Sequence, residues 1–276
     1  GGMPLVGDIS PDCPPWFLAG IDQFVGQWCD ALPTDDRAVL NKFKDADAVG
    51  PTLAGWHRAD VGSWAGLWHV PPNGWPPQPG HGHQDMGAPA LHFRGQPLFV
   101  DPGRGAYGES GDAALYRSAA VHGGLLLDGA APYPVNKPYY DEGFRARVAG
   151  APPTTAPSTD GFTLHYPAVF AKSTVRRHWQ FSETGMTLND HIEGNGTHEI
   201  TRALVTGCNV DADDARALIH GDGFSMSLIA ADGARPVLQP LTIWSAYGRG
   251  SPGTRIVFQT VGTLSWQGTL RAEVTR

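Results

Sequence analysis

The spacing of apolar residues changes character near residue 49. Before it, "WFLAGIDQFVGQWC" (16–29) places Phe17, Leu18, Ile21, Phe24, Val25 and Trp28 at gaps of three and four, which predicts one face of a helix. A second short helix is expected from Asp35 to Phe43, capped by Thr34 or Asp35. Residues 1–48 therefore read as a helical adapter packed on a larger domain. From Gly50 onward the apolar positions fall into short runs separated by Gly, Pro, Asn and Asp. "LAGWHRADVGSWAGLWHV" reads as a hairpin turned near Asp60–Gly62, with Trp56, Trp64 and Trp68 as core or groove aromatics. "PALHFRGQPLFVDPG" reads as a second hairpin with "RGQ" as its turn. Runs such as "STVRRHWQFS", "GMTLNDHIEG", "FSMSLIAADG" and "TRIVFQTVG" continue the pattern to the C-terminus. Many strands without long intervening helices predict a mainly β chain, a large antiparallel β-sandwich over 49–276 with a short N-terminal helical segment. The stretch "VAGAPPTTAPSTDG" (148–161) reads as a loop, and "DADDARA" (211–217) as an acidic turn. In "NDHIEGNGTHEI", His191 and His198 are expected to face solvent.

Composition supports this reading and removes some functions. The 36 glycines and 24 prolines in 276 residues fit a turn-rich chain. A formal charge of −7 without a Lys/Arg cluster argues against nucleic acid as a partner. It does not exclude an acidic sugar held in a local cationic pocket. No apolar run reaches the length of a membrane span. The three cysteines, Cys13, Cys29 and Cys208, are odd in number and widely spaced, which argues against a disulfide framework or a thiolate zinc site.

The chemistry concentrates around "GHGHQD" (80–85). On an extended segment His81 and His83 point the same way, because side chains alternate with period two. The following hairpin returns the chain so that Asp101 approaches His83, and His122 opens a later apolar strand. Imidazole and carboxylate donors suit zinc. The residues alone leave other readings open. The cluster also fits a hydrogen-bonded polar loop. His83 and Asp85 with a distant histidine formally match the iron triad of a cupin-like oxygenase. Nine tryptophans suit a non-catalytic carbohydrate-binding sandwich with a structural metal.

Three stretches, "GHGHQDMGAPALHFRGQPLFVDPGRGAY", "ALYRSAAVHGGLLLDG" and "WSAYGRGSPGTRIVF", resemble the β-sandwich domain of the heparinase II/III-like polysaccharide lyases. The resemblance covers roughly residues 50–276. It implies a structural zinc held by His83, Asp101 and His122, and a catalytic role for His81 at a cleft. It also implies β-elimination on a uronic-acid-containing polysaccharide. There a base removes the C5 proton, a partner steadies the carboxylate, and an acid protonates the leaving O4. Tyr116 is a candidate for the acid. Arg104 and Arg117 are candidates for gripping the sugar carboxylate, with a surface ion pair as their alternative. Gly123 stands where the family usually has Asn. The family's helical toroid, which contributes to the active site, is too large for residues 1–48. The adapter thus reads as the remnant of a preceding helical domain, supplied by the same or a separate chain. The expected partners are an acidic polysaccharide or oligosaccharide and that domain.

Overall fold

The computed structural model describes residues 33–35, 52–53, 55–74 and 82–275. The helices expected at 16–29 and 35–43 lie outside the described residues except for Asp35, and so does His81.

The strands form two stacked layers. One layer is an eight-stranded sheet. Its central strands are β8 (Gly161–Ala168), β9 (Ser173–Phe181), β10 (Gly185–Glu193), β14 (Phe224–Ala230) and β17 (Trp266–Val274). The strands β7 (Thr154–Ser158), β12 (Asn209–Ala212) and β13 (Arg216–Gly221) complete it in the order β12-β13-β14-β17-β10-β9-β8-β7. The opposing layer holds two sheets. The first contains β1 (Thr52–Leu53), β2 (Trp56–Val61), β3 (Trp64–His69), β4 (Pro89–Phe93) and β5 (Gln96–Phe99) in sequence order. The second has the order β15-β16-β11-β6, from β15 (Pro236–Ala246), β16 (Arg249–Thr263), β11 (Thr197–Thr206) and β6 (Leu125–Leu127). Every strand pair is antiparallel, and Val100 N–H donates to Val205 O at 2.9 Å where these two sheets meet. The expected β-sandwich is the observed architecture.

Strand alternation explains the stacking. Along β9, Val175, Arg177, Trp179 and Phe181 are buried, while Thr174, Arg176, His178 and Gln180 alternate with them on the other face. Trp68 of the facing layer stacks on Phe162 at 4.4 Å and lies 5.4 Å from Trp179. All three are fully buried, so truncating any of them removes about 3–5 kcal/mol of stability. Arg177 also points inward, where it bonds Asp190 on the neighbouring strand through Nε at 2.8 Å.

The hairpin turns follow their chemistry. In β4–β5 the pair Phe93↔Gln96 leaves a two-residue turn, Arg94–Gly95, with φ of 50° and 78°. Two positive φ values match the right-handed strand twist. Three regions differ from expectation. The 148–161 loop contains β7, an edge strand whose mostly exposed residues show no apolar alternation, and an edge tolerates Pro157. The acidic turn narrows to Asp213–Ala215 between β12 and β13. Two unexpected helices, α1 (Gly111–Leu115) and α2 (Glu142–Ala149), lie in the long β5–β6 and β6–β7 connections. α2 offers only Phe144 and Val148 as large apolar groups, too few for a helical period to stand out.

Candidate metal centre

The connections after β5 and before β6 meet β11, β15 and β16 through Val100 N–H on Val205 O, Thr242 N–H on the Tyr116 hydroxyl and Arg255 on His122 O. Along β16, Ile256 and Phe258 turn into the main core, while Arg255 and Val257 turn the other way. The Arg255 guanidinium donates through Nε to His122 O at 3.4 Å and through an Nη to Gln239 Oε1 at 2.9 Å. Ala203 N–H donates to Gly124 O, so β11 carries the segment that presents His122.

His83 precedes β4, Asp101 follows β5 and His122 precedes β6. Their ligand atoms all lie within 4.8 Å of one another. All three side chains are buried. Each of two donors is fixed by the backbone so that its other atom faces the cluster. Asp101 Oδ1 accepts from Gly103 N–H at 3.0 Å, leaving Oδ2, which lies 2.7 Å from His122 Nδ1. His122 Nε2 donates to Tyr116 O at 3.0 Å. A carbonyl on one ring nitrogen orients the other toward an ion, and the same arrangement serves metal-binding histidines generally. Two imidazoles and one carboxylate, buried together, form a donor set that fits zinc.

The electrostatics agree with a shared positive charge at this point. Burial opposes charging His122, but the Asp101 carboxylate and its hydrogen bond, with help from Asp85 and the Tyr116 carbonyl, raise its pKa above the ordinary value. Asp85 is buried beside the cluster and desolvation pushes its pKa up, with Asp101 adding to the effect and His122, His83 and His69 opposing it. The carboxylate grouped with the two imidazoles is Asp101, not Asp85. Asp85 O instead accepts Ala88 N–H at 2.9 Å, and Gln84 N–H donates to Arg117 O at 2.9 Å, which pins the His83 turn.

The other sequence candidates take up positions around this cluster. Tyr116 is 6% exposed, its ring set edge-on to Trp244 and its hydroxyl accepting Thr242 N–H at 2.8 Å. With its carbonyl on His122, it ties the metal loop to β15. Arg117 pairs with Glu109 at 2.7 Å. Arg104 donates to Gly108 O at 3.3 Å and lies 4.9 Å from the Tyr107 ring centre. Tyr107 N–H donates to the Tyr247 hydroxyl at 2.6 Å, and the two rings, each more than half exposed, sit 5.0 Å apart. Gly105 permits this loop to lie on Trp244, since a Cβ there would fall 2.3 Å from the indole. No local signal in the sequence assigns Arg255, Thr242, Trp244 and Tyr247 to the site, although "WSAYGRGSPGTRIVF" carries part of the family resemblance, because they reach it from more than a hundred residues downstream. His198, expected to face solvent, is largely covered instead and bonds Asp128 at 2.7 Å.

The model of the Heparinase II/III-like, C-terminal family matches residues 49–267. Among solved structures, a heparinase III is 16% identical with a TM-score of 0.66; the match covers 99% of this chain and 43% of that one. The heparan sulfate lyase HepC from Pedobacter heparinus is 15% identical with a TM-score of 0.67, covering 99% and 44%. At these identities the likeness is one of fold, and the chain spans less than half the length of the structures it matches. No curated protein matches the chain.

Proposed function

The chain belongs to the heparinase II/III-like family through its C-terminal domain, and from that membership we propose that it is the sandwich portion of a polysaccharide lyase. Its substrate on this reading is a uronic-acid-containing polysaccharide cleaved by β-elimination. The observation that carries the reading is the coincidence of the family match with a buried His83–Asp101–His122 cluster inside the matched residues.

His83, Asp101 and His122 would hold zinc. The ion would supply a structural cross-link among the segments before β4, after β5 and before β6. The protein's own residues position the chemistry. Tyr116 orients His122 through its carbonyl and anchors the loop through its hydroxyl, and its burial favours a positioning role over proton donation to a sugar. His81, two residues from His83, is the proposed base or carboxylate partner, since imidazole exchanges protons near neutral pH. Arg104 is the proposed carboxylate contact, next to the exposed Tyr107–Tyr247 pair, whose rings offer a stacking face for a sugar. Arg117 already faces a carboxylate in Glu109, which favours its structural alternative. A helical toroid from the same or another chain would supply the remaining groups.

The test is release of 4,5-unsaturated uronate from heparan-type, alginate and polygalacturonate chains by this sandwich acting together with its helical toroid, as the wild type and as His81→Ala. Release lost in His81→Ala with oligosaccharide binding retained is expected. Unchanged release in that variant would remove His81 from the mechanism. Binding by the wild type with no release from any of the three would favour a non-catalytic carbohydrate-binding sandwich.

A further inference from the structure

The outer face of the eight-stranded sheet carries a polar groove that the lyase reading leaves unused. Two cavities, of about 440 and 240 Å³, open on it and share Arg176 and His191. Strand register explains the continuity. His165↔Arg176, Arg176↔His191 and His191↔Gln267 form one row across β8, β9, β10 and β17. His178, Asn189 and Thr269 form part of the adjacent row. Neighbouring strands lie about 4.8 Å apart, so four of them give a groove about 14 Å wide, enough for a segment of oligosaccharide. The metal cluster is built from segments flanking β4, β5 and β6, and none of its residues lines the groove.

Charge selects the occupant. The chain carries a net −7, yet this groove is not acidic. Asp190 is neutralised from within by Arg177, and Asp232 takes both of its bonds from Arg202 at 2.7 Å. Glu193 stands 3.7 Å from His191. Arg176 is exposed and forms no ion pair among the described residues. A planar guanidinium among imidazoles, amides and hydroxyls, with the exposed Glu193 carboxylate lining the smaller cavity, matches one carboxylate with flanking sugar hydroxyls. A single fixed cation does not match the phosphate row of a nucleic acid.

We propose that this groove is a second binding site for a uronate-bearing oligosaccharide, with Arg176 taking a carboxylate and His165, His191 and Gln267 bonding ring hydroxyls. The proposal rests on the reading of an acidic polysaccharide as substrate, and it places a remote hold on the chain that is being cut.

The test titrates the full 276-residue chain with hexasaccharides of galacturonate, mannuronate and heparosan, and with their carboxyl-reduced forms, while amide resonances are followed. Shift changes clustered on β8, β9, β10 and β17 are expected with at least one acidic probe. Affinity should fall about tenfold in Arg176→Gln and less in His191→Gln, the loss of one charge-assisted pair. Unperturbed spectra elsewhere show that both variants are folded. Absence of shifts on these strands with all three probes, equal affinity in Arg176→Gln, or equal binding of the reduced forms would each overturn the site. Binding is scored without turnover, so failure to release unsaturated product leaves this result standing and counts against the lyase reading alone.

Discussion

His122 Nδ1 lies 2.7 Å from Asp101 Oδ2, and neither side chain is more than 2% exposed. Such a pair, sealed from water and joined by His83, holds either a proton or a metal ion between its members. Occupation by zinc predicts about one equivalent of metal in the purified protein by elemental analysis. His83→Ala should lose it. Metal at a hundred times its dissociation constant stabilises the fold by about 2.7 kcal/mol, so a chelator should lower the melting temperature by roughly 5–10 °C. A metal-free wild type with a chelator-independent melting temperature would overturn the assignment.

Tyr116→Phe separates positioning from proton donation. The ring keeps its place against Trp244, and the backbone carbonyl still takes His122 Nε2. Only the acceptor for Thr242 N–H disappears. We expect a loss of about 1–2 kcal/mol in denaturant unfolding with metal content unchanged. If the variant instead keeps full stability and loses all product release, the hydroxyl is the acid after all.

The legible parts of this fold are those governed by local spacing. Arg94–Gly95 announces its turn, and the alternation in "STVRRHWQF" announces both a buried and an open face. The metal cluster was half legible, because one hairpin carries the chain from His83 past β4 and β5 to Asp101. What the sequence hid is long-range. Arg255 on His122, Thr242 on Tyr116 and Tyr247 on Tyr107 depend on β15 and β16 folding back over the loops. β7 was hidden for the opposite reason. An exposed edge strand needs no apolar partner face, so its residues carry no periodic signal.

Arg177 and Asp190 stand directly opposite each other on β9 and β10, and both side chains are fully buried. Asp190→Ala strands a guanidinium in the core and should cost about 3–5 kcal/mol in chemical denaturation. The double change Arg177→Met with Asp190→Leu removes both charges and should recover most of that loss. A single variant as stable as the wild type would show that water reaches the pair.

His198 and Asp128 supply a pH dependence whose sign follows from their bond. The hydrogen bond to Asp128, with one to the Asn195 carbonyl, raises the His198 pKa above the usual value. The same bond, with Glu199 N–H, lowers that of Asp128. A raised histidine favours folding below about pH 6.5, and that contribution disappears as pH climbs through the raised value. A lowered aspartate favours folding above about pH 3.9, and its contribution disappears as pH falls through the lowered value. The pair therefore helps most between about pH 4 and 6.5. Asp128→Asn keeps an oxygen for Glu199 N–H and tolerates the φ of 52° at this position, but removes the charge. The His198 ring resonances should then titrate nearer pH 6.5 than in the wild type. An unmoved midpoint would show that Asn195, not Asp128, holds the proton in place.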